Sequence, residues 1–113
     1  MPNDPTIRYE PADPDGLVVA ELAGELDLDR ADAVRDSLAA AAGAPGCRYL
    51  RIDVSDLGFI DSYGLGALVS ARNSAAAKGV TMTLAEPSPP VRKAIEVTGL
   101  GHVFGLGLDT GPN

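Results

Sequence analysis

Hydrophobic and polar residues alternate in several short stretches of the chain, and this alternation predicts β-strands. A run rich in Pro, Asp and Gly at residues 11–16 separates the first two stretches, which predicts that they form a hairpin. Val103 and Phe104 indicate one more short strand near the end of the chain. The predicted strands cover residues 7–9, 17–22, 49–54, 80–85 and 103–104.

Between the later strands, hydrophobic residues recur at every third or fourth position, a spacing typical of amphipathic helices. The first predicted helix has Asp27 or Asp29 as its N-cap and ends at about Ala42. Two further helices are predicted at about residues 62–78 and 91–98.

The apolar stripes of these helices predict which side chains face the core. The inward residues are Leu28, Ala31, Val34, Leu38 and Ala42 in the first helix, Leu65, Leu68, Val69 and Ala76 in the second, and Val91, Ala94 and Ile95 in the third. A separate stripe of small residues, more typical of close helix packing than of a docking face, consists of Gly64, Ala67, Ala71 and Ala75. Residues 55–61, before the second helix, are predicted to form an acidic loop.

The predicted order of elements is β-β-α-β-α-β-α, with a further short strand at the end. Parallel strands joined by right-handed helical crossovers form a sheet with helices packed against it. The expected fold class is therefore α/β, a single domain with a mixed, mainly parallel sheet of four to five strands packed against three to four helices. A chain of 113 residues is the usual size of one such domain.

Composition narrows the possible partners. The chain has 16 acidic residues against 9 Lys and Arg, and its formal net charge is −7. Direct binding to nucleic acid or to an anionic membrane surface requires basic residues, so both are disfavoured.

The single cysteine, Cys47, forms no internal disulfide, and no apolar run is as long as a membrane span. The first residues lack the features of a signal peptide, and the expected location is the cytoplasm.

The most informative segment begins at Asp56 and ends at Gly66, where a strand leads into the second helix with Ser62 at its start. Free amide groups and the positive end of the helix dipole at that position can hold a phosphate on Ser62. Gly64 and Gly66 would let the backbone of a partner approach, although each glycine costs about 1 kcal/mol of helix stability relative to alanine. Ser62 can therefore act as a switch for protein binding.

Other interpretations of Ser62 remain open at this point. A serine at a helix start is often a simple N-cap. A serine hydrolase is disfavoured, because a nucleophile elbow needs glycine two residues before the serine and Ile60 stands there. His102 is the only histidine of the chain, and one His with one Cys cannot form a zinc centre, so no metal or other cofactor is expected.

Two strings of residues together resemble the STAS domains of bacterial anti-sigma factor antagonists. They are Gly24-Glu25-Leu26-Asp27 and Phe59-Ile60-Asp61-Ser62-Tyr63-Gly64-Leu65-Gly66. The likeness spans about Leu17 to Phe104, in the same order along the chain. It implies one STAS domain at residues 5–107, with flexible tails at 1–4 and 108–113.

The resemblance also implies a mechanism of partner switching without catalysis. In this family the unphosphorylated antagonist binds an anti-sigma factor that is also a serine kinase, and this binding releases a sigma factor. Phosphorylation of the serine, which is Ser62 here, abolishes binding, and a protein phosphatase restores it. The expected docking surface consists of Asp27, Phe59, Asp61, Ser62, Tyr63, Gly64, Leu65 and Gly66.

Tyr63 departs from the family pattern, which commonly has a small hydroxylated residue directly after the serine. The bulky phenol puts the identity of the partner in question, although tyrosines are also enriched as anchors in protein interfaces. An alternative function is therefore a STAS module that is not phosphorylated and instead senses a small ligand or scaffolds a signalling or transport complex.

Overall fold

The computed structural model describes residues 7–106. The expected tails at residues 1–4 and 108–113 lie outside the described part of the chain. The secondary-structure elements are β1 Ile7–Glu10, β2 Leu17–Leu26, α1 Leu28–Ala42, β3 Tyr49–Ile60, α2 Ser62–Ala77, β4 Thr81–Ala85, α3 Pro89–Thr98 and a 3₁₀ helix at Gly101–Phe104.

The strands form one sheet in the order β1-β2-β3-β4. β1 and β2 pair antiparallel as the predicted hairpin, whereas β2 with β3 and β3 with β4 pair in parallel. Each parallel pair is connected through a helix, α1 in the first case and α2 in the second. The predicted α/β class with a mixed, mainly parallel sheet is confirmed.

The hydrophobic core lies between one face of this sheet and the helices. Alternate residues of β2 are buried while their neighbours are partly exposed, so only one face of the strand is covered. The same alternation continues in β4 and in the first half of β3. Fully buried side chains that fill the core include Leu22, Leu38, Ile52, Leu68, Ile95 and Phe104.

The helices α1 and α2 pack directly against each other. All four residues of the small-residue stripe, Gly64, Ala67, Ala71 and Ala75, are buried, which confirms that the stripe serves close helix packing. This stripe, together with Leu65 and Leu68, is the core-facing side of α2, so the prediction that Ala76 points inward is wrong. Leu28 is also exposed, because it stands at the first position of α1 and the buried stripe of that helix begins only at Ala31.

The strand β3 is twice as long as predicted, so the expected acidic loop at residues 55–61 is wrong. β2 also continues beyond its predicted end to Leu26, and the two strands stay paired through two register shifts. These irregularities break the alternation of apolar and polar residues that identifies a strand. Asp56 is therefore a strand residue, and Asp61 is the only residue between β3 and α2.

The predicted strand at residues 103–104 is also wrong, because these residues belong to the 3₁₀ helix. Phe104 is fully buried in the core, and Gly105 ends the helical turn with a positive φ of 73°. A single turn is enough to bury this large ring, so its apolar neighbour Val103 does not mark a strand. No helix within residues 7–106 combines the length and the apolar character needed to cross a membrane.

A buried hydroxyl fixes the start of α3 to the end of the sheet. Ser88 is 8% exposed, and its Oγ donates a hydrogen bond of 2.5 Å to the carbonyl oxygen of Leu57. Its backbone N–H donates to the carbonyl of Val54 at 3.3 Å. The hydroxyl of Ser88 therefore gives the carbonyl of Leu57 a hydrogen-bond partner, close to a register shift in the pairing of β2 with β3.

We expect Ser88→Ala to lower the free energy of unfolding by about 1–3 kcal/mol, because it leaves the carbonyl of Leu57 without its partner in a buried place. Urea denaturation followed by circular dichroism measures this change. Ser70→Ala, at an exposed serine of α2, is the control and should change stability by less than about 0.5 kcal/mol. Equal stability of the two variants would contradict this role of Ser88.

Candidate functional site

The carboxylate of Asp61 holds the N-termini of α1 and α2 together. Asp61 is the N-cap of α2, and its Oδ1 accepts a hydrogen bond from the backbone N–H of Gly64 at 2.9 Å. Its Oδ2 accepts from the N–H of Leu28, the first residue of α1, at 3.2 Å. The N–H of Asp61 itself donates to the carbonyl of Leu26 at 3.2 Å. One side chain thus satisfies free amides of two helices, where an anion is favoured.

Asp27 caps the first helix. Its Oδ1 accepts from the N–H of Asp29 at 3.1 Å, which identifies Asp27 rather than Asp29 as the N-cap. Asp27 directly precedes Leu28, whose amide binds Asp61, so the two capping carboxylates bind consecutive amides at the start of α1. The structure therefore brings Asp27 to the start of α2, as the sequence led us to expect.

Asp56, by contrast, does not join this group. It lies in β3 and lines a cavity shared with Arg8 and Glu21, which are themselves joined by an exposed ion pair of 2.5 Å. The acidic loop expected at residues 55–61 would have placed Asp56 near Ser62. That expectation is wrong, because Asp56 lies within the extended strand β3.

Ser62 is the first residue of α2, and its side chain is exposed. The amides of Ser62 and Tyr63 precede the first main-chain hydrogen bond of the helix, which Leu65 donates to the carbonyl of Asp61. The hydroxyl of Ser62 is therefore accessible to another protein. A phosphate attached to it would lie at the positive end of the helix dipole.

The two glycines of this helix have different structural roles. Gly64 is buried, and a Cβ at its position would collide with the carbonyl oxygen of Leu26. The expectation that Gly64 leaves room for a partner is therefore wrong, since the close neighbour is the chain's own β2. Gly66 is exposed, and a Cβ there would have no atom within 4 Å. Among residues 7–106, no neighbour within that distance requires glycine at position 66.

Three large apolar side chains are exposed around the start of α2. They are Leu28, Phe59 and Tyr63, with 59%, 47% and 58% of their surface accessible. Leu28 follows the capping Asp27, and Phe59 and Tyr63 lie two residues to either side of Asp61. We call Leu28, Phe59 and Tyr63, each within two residues of a capping aspartate along the chain, the apolar rim. Exposed apolar patches are typical of protein interfaces.

Leu28 was not among the predicted site residues, because its spacing matches the buried stripe of α1. Its position next to the N-cap Asp27 could have identified it, since the first residue of a helix often extends beyond the core. Leu65, which was predicted to contact a partner, is only 7% exposed and packs mainly in the core.

A shallow groove of about 500 Å³ begins at Ser62 and runs along α2 toward the end of α3. We call it the α2–α3 groove. Its lining residues are Ser62, Leu65, Gly66, Val69, Ser70, Asn73, Thr98 and Leu100. Ser62 thus lies between the groove and the apolar rim.

The other titratable or reactive groups lie away from Ser62. His102 lines a different cavity, together with Arg72 and Thr83, so the structure does not support a serine hydrolase triad. Burial raises the pKa of the Cys47 thiol, which precedes β3 and so lies at the opposite end of that strand from Ser62. Within residues 7–106 no group of three or more His, Cys, Asp or Glu side chains is arranged to hold a metal ion.

Comparisons with known proteins agree with this geometry. A family model described as the STAS domain matches residues 9–111. An anti-sigma F factor antagonist of Paenibacillus polymyxa is 31% identical over 89 residues, which are 79% of this chain and 76% of the relative.

Two solved structures of an anti-sigma factor antagonist, SpoIIAA, share the fold. The unphosphorylated form is 28% identical with a TM-score of 0.72, over 85% of this chain and 83% of that one. The phosphorylated form, described as a Bacillus cell fate determinant, is 29% identical with a TM-score of 0.62, over 85% of this chain and 86% of that one.

We expect Gly64→Ala and Gly66→Ala to change stability in opposite directions. The added methyl at position 64 meets a backbone carbonyl that cannot move aside, which should cost about 1–3 kcal/mol. The methyl at position 66 enters open space and should raise the free energy of unfolding by about 0.5–1 kcal/mol. Urea denaturation of the two variants checks this pair, and changes of the same sign would refute the assignment.

We expect Asp61→Ala to destabilise the domain more than Asp27→Ala, by about 2 kcal/mol against about 1 kcal/mol, because Asp61 caps two helices and Asp27 caps one. Thermal and urea unfolding of both variants provide the comparison. An equal loss in the two variants would show that the bond from Leu28 to Asp61 contributes nothing.

Proposed function

The chain belongs to the STAS-domain anti-sigma factor antagonist family, and from that membership we propose that its unphosphorylated form binds an anti-sigma factor and so releases a sigma factor. The proposed docking surface is the start of α2 with its surroundings, including Asp27, Ser62 and the apolar rim. Compared with the surface expected from the sequence, this one includes Leu28, which is exposed, and excludes Gly64, which is buried.

The observation that carries this proposal is the exposed hydroxyl of Ser62 on a rigid helix start. Both helices that meet there are capped by carboxylates, and the neighbouring Leu28, Phe59 and Tyr63 are exposed. Aromatic and leucine side chains that lose water on binding supply favourable free energy, and tyrosine is common among the residues that dominate an interface. A surface of this kind suits protein binding rather than catalysis.

Ser62 is the proposed site of regulation by phosphorylation. The similar SpoIIAA has been solved in both an unphosphorylated and a phosphorylated form, which supports a chemical switch of this kind here. A phosphate adds a charge of about −1.5 to −2. At Ser62 it would lie next to the carboxylate of Asp61 and change the surface that the partner meets.

The proposed cycle needs two enzymes and no cofactor of its own. The anti-sigma factor acts as the serine kinase that phosphorylates Ser62, and a protein phosphatase removes the phosphate. Such a regulator works in the cytoplasm without contacting nucleic acid or membrane, which agrees with the net charge of −7. Tyr63 belongs to the docking surface and helps to determine which anti-sigma factor fits.

We expect the anti-sigma factor to bind the Ser62→Ala variant about as tightly as the wild type and the Ser62→Glu variant at least about 10-fold more weakly, a loss of about 1.4 kcal/mol. Protein carrying phosphoserine at position 62 should lose more, because phosphate has more charge than a carboxylate. Titration calorimetry with the purified anti-sigma kinases of the source organism measures these affinities.

Ala77→Glu is the control for this experiment, since it places the same charge at an exposed position at the other end of α2. It should leave the affinity unchanged. Incubation with ATP and the same kinases should add the mass of one phosphate at Ser62. The proposal fails if Ser62→Glu binds as well as Ser62→Ala, and the alternative of a STAS module without phosphorylation is then favoured.

A further inference from the structure

We propose that a cavity at the far end of α2 binds a small organic anion, in which a phosphate or carboxylate group is joined to an apolar body. The cavity has a volume of about 410 Å³ and lies between the end of α2, the strand β4 and the 3₁₀ helix. Its size is in the range of small-molecule sites in proteins. We call it the β4 cavity, and the residues that define it are Arg72, Ala76, Thr81, Thr83, His102 and Val103.

The β4 cavity is separate from the surface around Ser62. At about 1.5 Å of rise per residue, Arg72 lies about 15 Å along α2 from Ser62. No residue that lines the cavity belongs to the proposed docking surface. The site therefore goes beyond the proposed function and does not depend on it.

The charge of the lining indicates an anionic ligand. Arg72 and His102 lie in it and no Asp or Glu does, although the chain has 16 acidic residues against 9 Lys and Arg. The cavity that Asp56 lines is the opposite case, since its single cation, Arg8, shares the lining with carboxylates. In a protein with a net charge of −7, a cavity with cations and no carboxylate is a distinct place for an anion to bind.

Arg72 has hydrogen-bond donors available for such a ligand. It is partly buried, and the one hydrogen bond described for its guanidinium within residues 7–106 is donated by Nη1 to Oδ1 of Asn73 at 3.2 Å. The ion pairs of this part of the chain involve Arg8 and Arg35 and leave Arg72 without a carboxylate partner. A guanidinium has five N–H donors in a plane that fits two oxygens of a phosphate or carboxylate.

The other walls of the cavity fit both parts of such a molecule. Thr81 and Thr83 lie on the same side of β4, and no hydrogen bond within residues 7–106 involves their hydroxyls, which can donate to an anionic oxygen. Ala76 and Val103 add apolar surface. Gly105 brings the end of the 3₁₀ helix close to β4, because a Cβ there would lie 3.0 Å from Cγ2 of Thr83.

Phenyl phosphate is the probe, because it joins a phosphate to an apolar ring, and its two halves, inorganic phosphate and phenol, are the matched controls. Titration of isotope-labelled protein at constant ionic strength, followed by NMR, should show saturable shifts of the amide signals of Thr81, Thr83, His102 and Val103. We expect a dissociation constant of about 1 mM or below, and binding of each half at least about 10-fold weaker. Benzoate, with a carboxylate in place of the phosphate, shows which anionic group the site prefers.

Two pairs of variants test the assignment of the site. Arg72→Gln should weaken binding of phenyl phosphate at least about 10-fold, whereas Arg92→Gln, which removes the same charge from an exposed position of α3, should not. Ala76→Glu places a carboxylate in the lining and should weaken binding as much. Ala77→Glu adds the same charge at the next residue, which is also exposed but does not line the cavity, and should leave binding unchanged.

Three results would overturn the proposal. Equal losses within each pair of variants would show a response to overall charge, and equal binding of phenyl phosphate and inorganic phosphate would show an ion site without an organic ligand. Shifts centred on residues 62–65, or no saturation up to about 10 mM, would show that the β4 cavity is not the site. These variants leave the docking surface around Ser62 unchanged, so none of these results bears on the proposed function.

Discussion

The arrangement of the candidate site depends on a single carboxylate. Asp61 accepts hydrogen bonds from the first turns of both α1 and α2, and its own amide binds the end of β2. Because α1 and α2 belong to different crossovers of the sheet, these bonds join the beginnings of two helices that also pack against each other and, at their other ends, are joined by the hydrogen bond from Lys78 Nζ to the carbonyl of Ala39. The position of Ser62 is thereby fixed relative to Leu28, a residue far away in sequence.

Close packing beside the carboxylate strengthens this arrangement. Gly64 allows α2 to lie directly on the carbonyl of Leu26, and the small residues that follow it bring α1 and α2 together. Backbone contacts, rather than long side chains, therefore position the start of α2. Long side chains lose more conformational entropy when they are held in one conformation. Gly66, one turn from the same carboxylate, is exposed instead, and a Cβ there would meet no described atom within 4 Å.

The sequence was sufficient to predict the fold, because each helix and most strands have a clear hydrophobic period and recognisable ends. It was not sufficient for β3 beyond Val54 or for β2 beyond Leu22, since shifts in strand register disturb the alternation there. The string from Phe59 to Gly66 indicated the candidate site. It could not separate the buried Gly64 from the exposed Gly66, because the difference arises from a carbonyl that is distant in sequence. Leu28 was missed for a different reason: its spacing matches the buried stripe of α1, although its position directly after the N-cap Asp27 makes it the first residue of the helix.

These features together explain how a small modification can act without a change of fold. The capping bonds of Asp61 do not involve the hydroxyl of Ser62, which is exposed and makes no described contact inside the domain. The phosphate proposed at Ser62 would therefore break no hydrogen bond that the structure describes within the domain. It would add negative charge beside the carboxylate of Asp61, where Ser62 adjoins the α2–α3 groove. Its effect would fall on the complex with a partner that contacts this surface, because the fold itself does not depend on the hydroxyl.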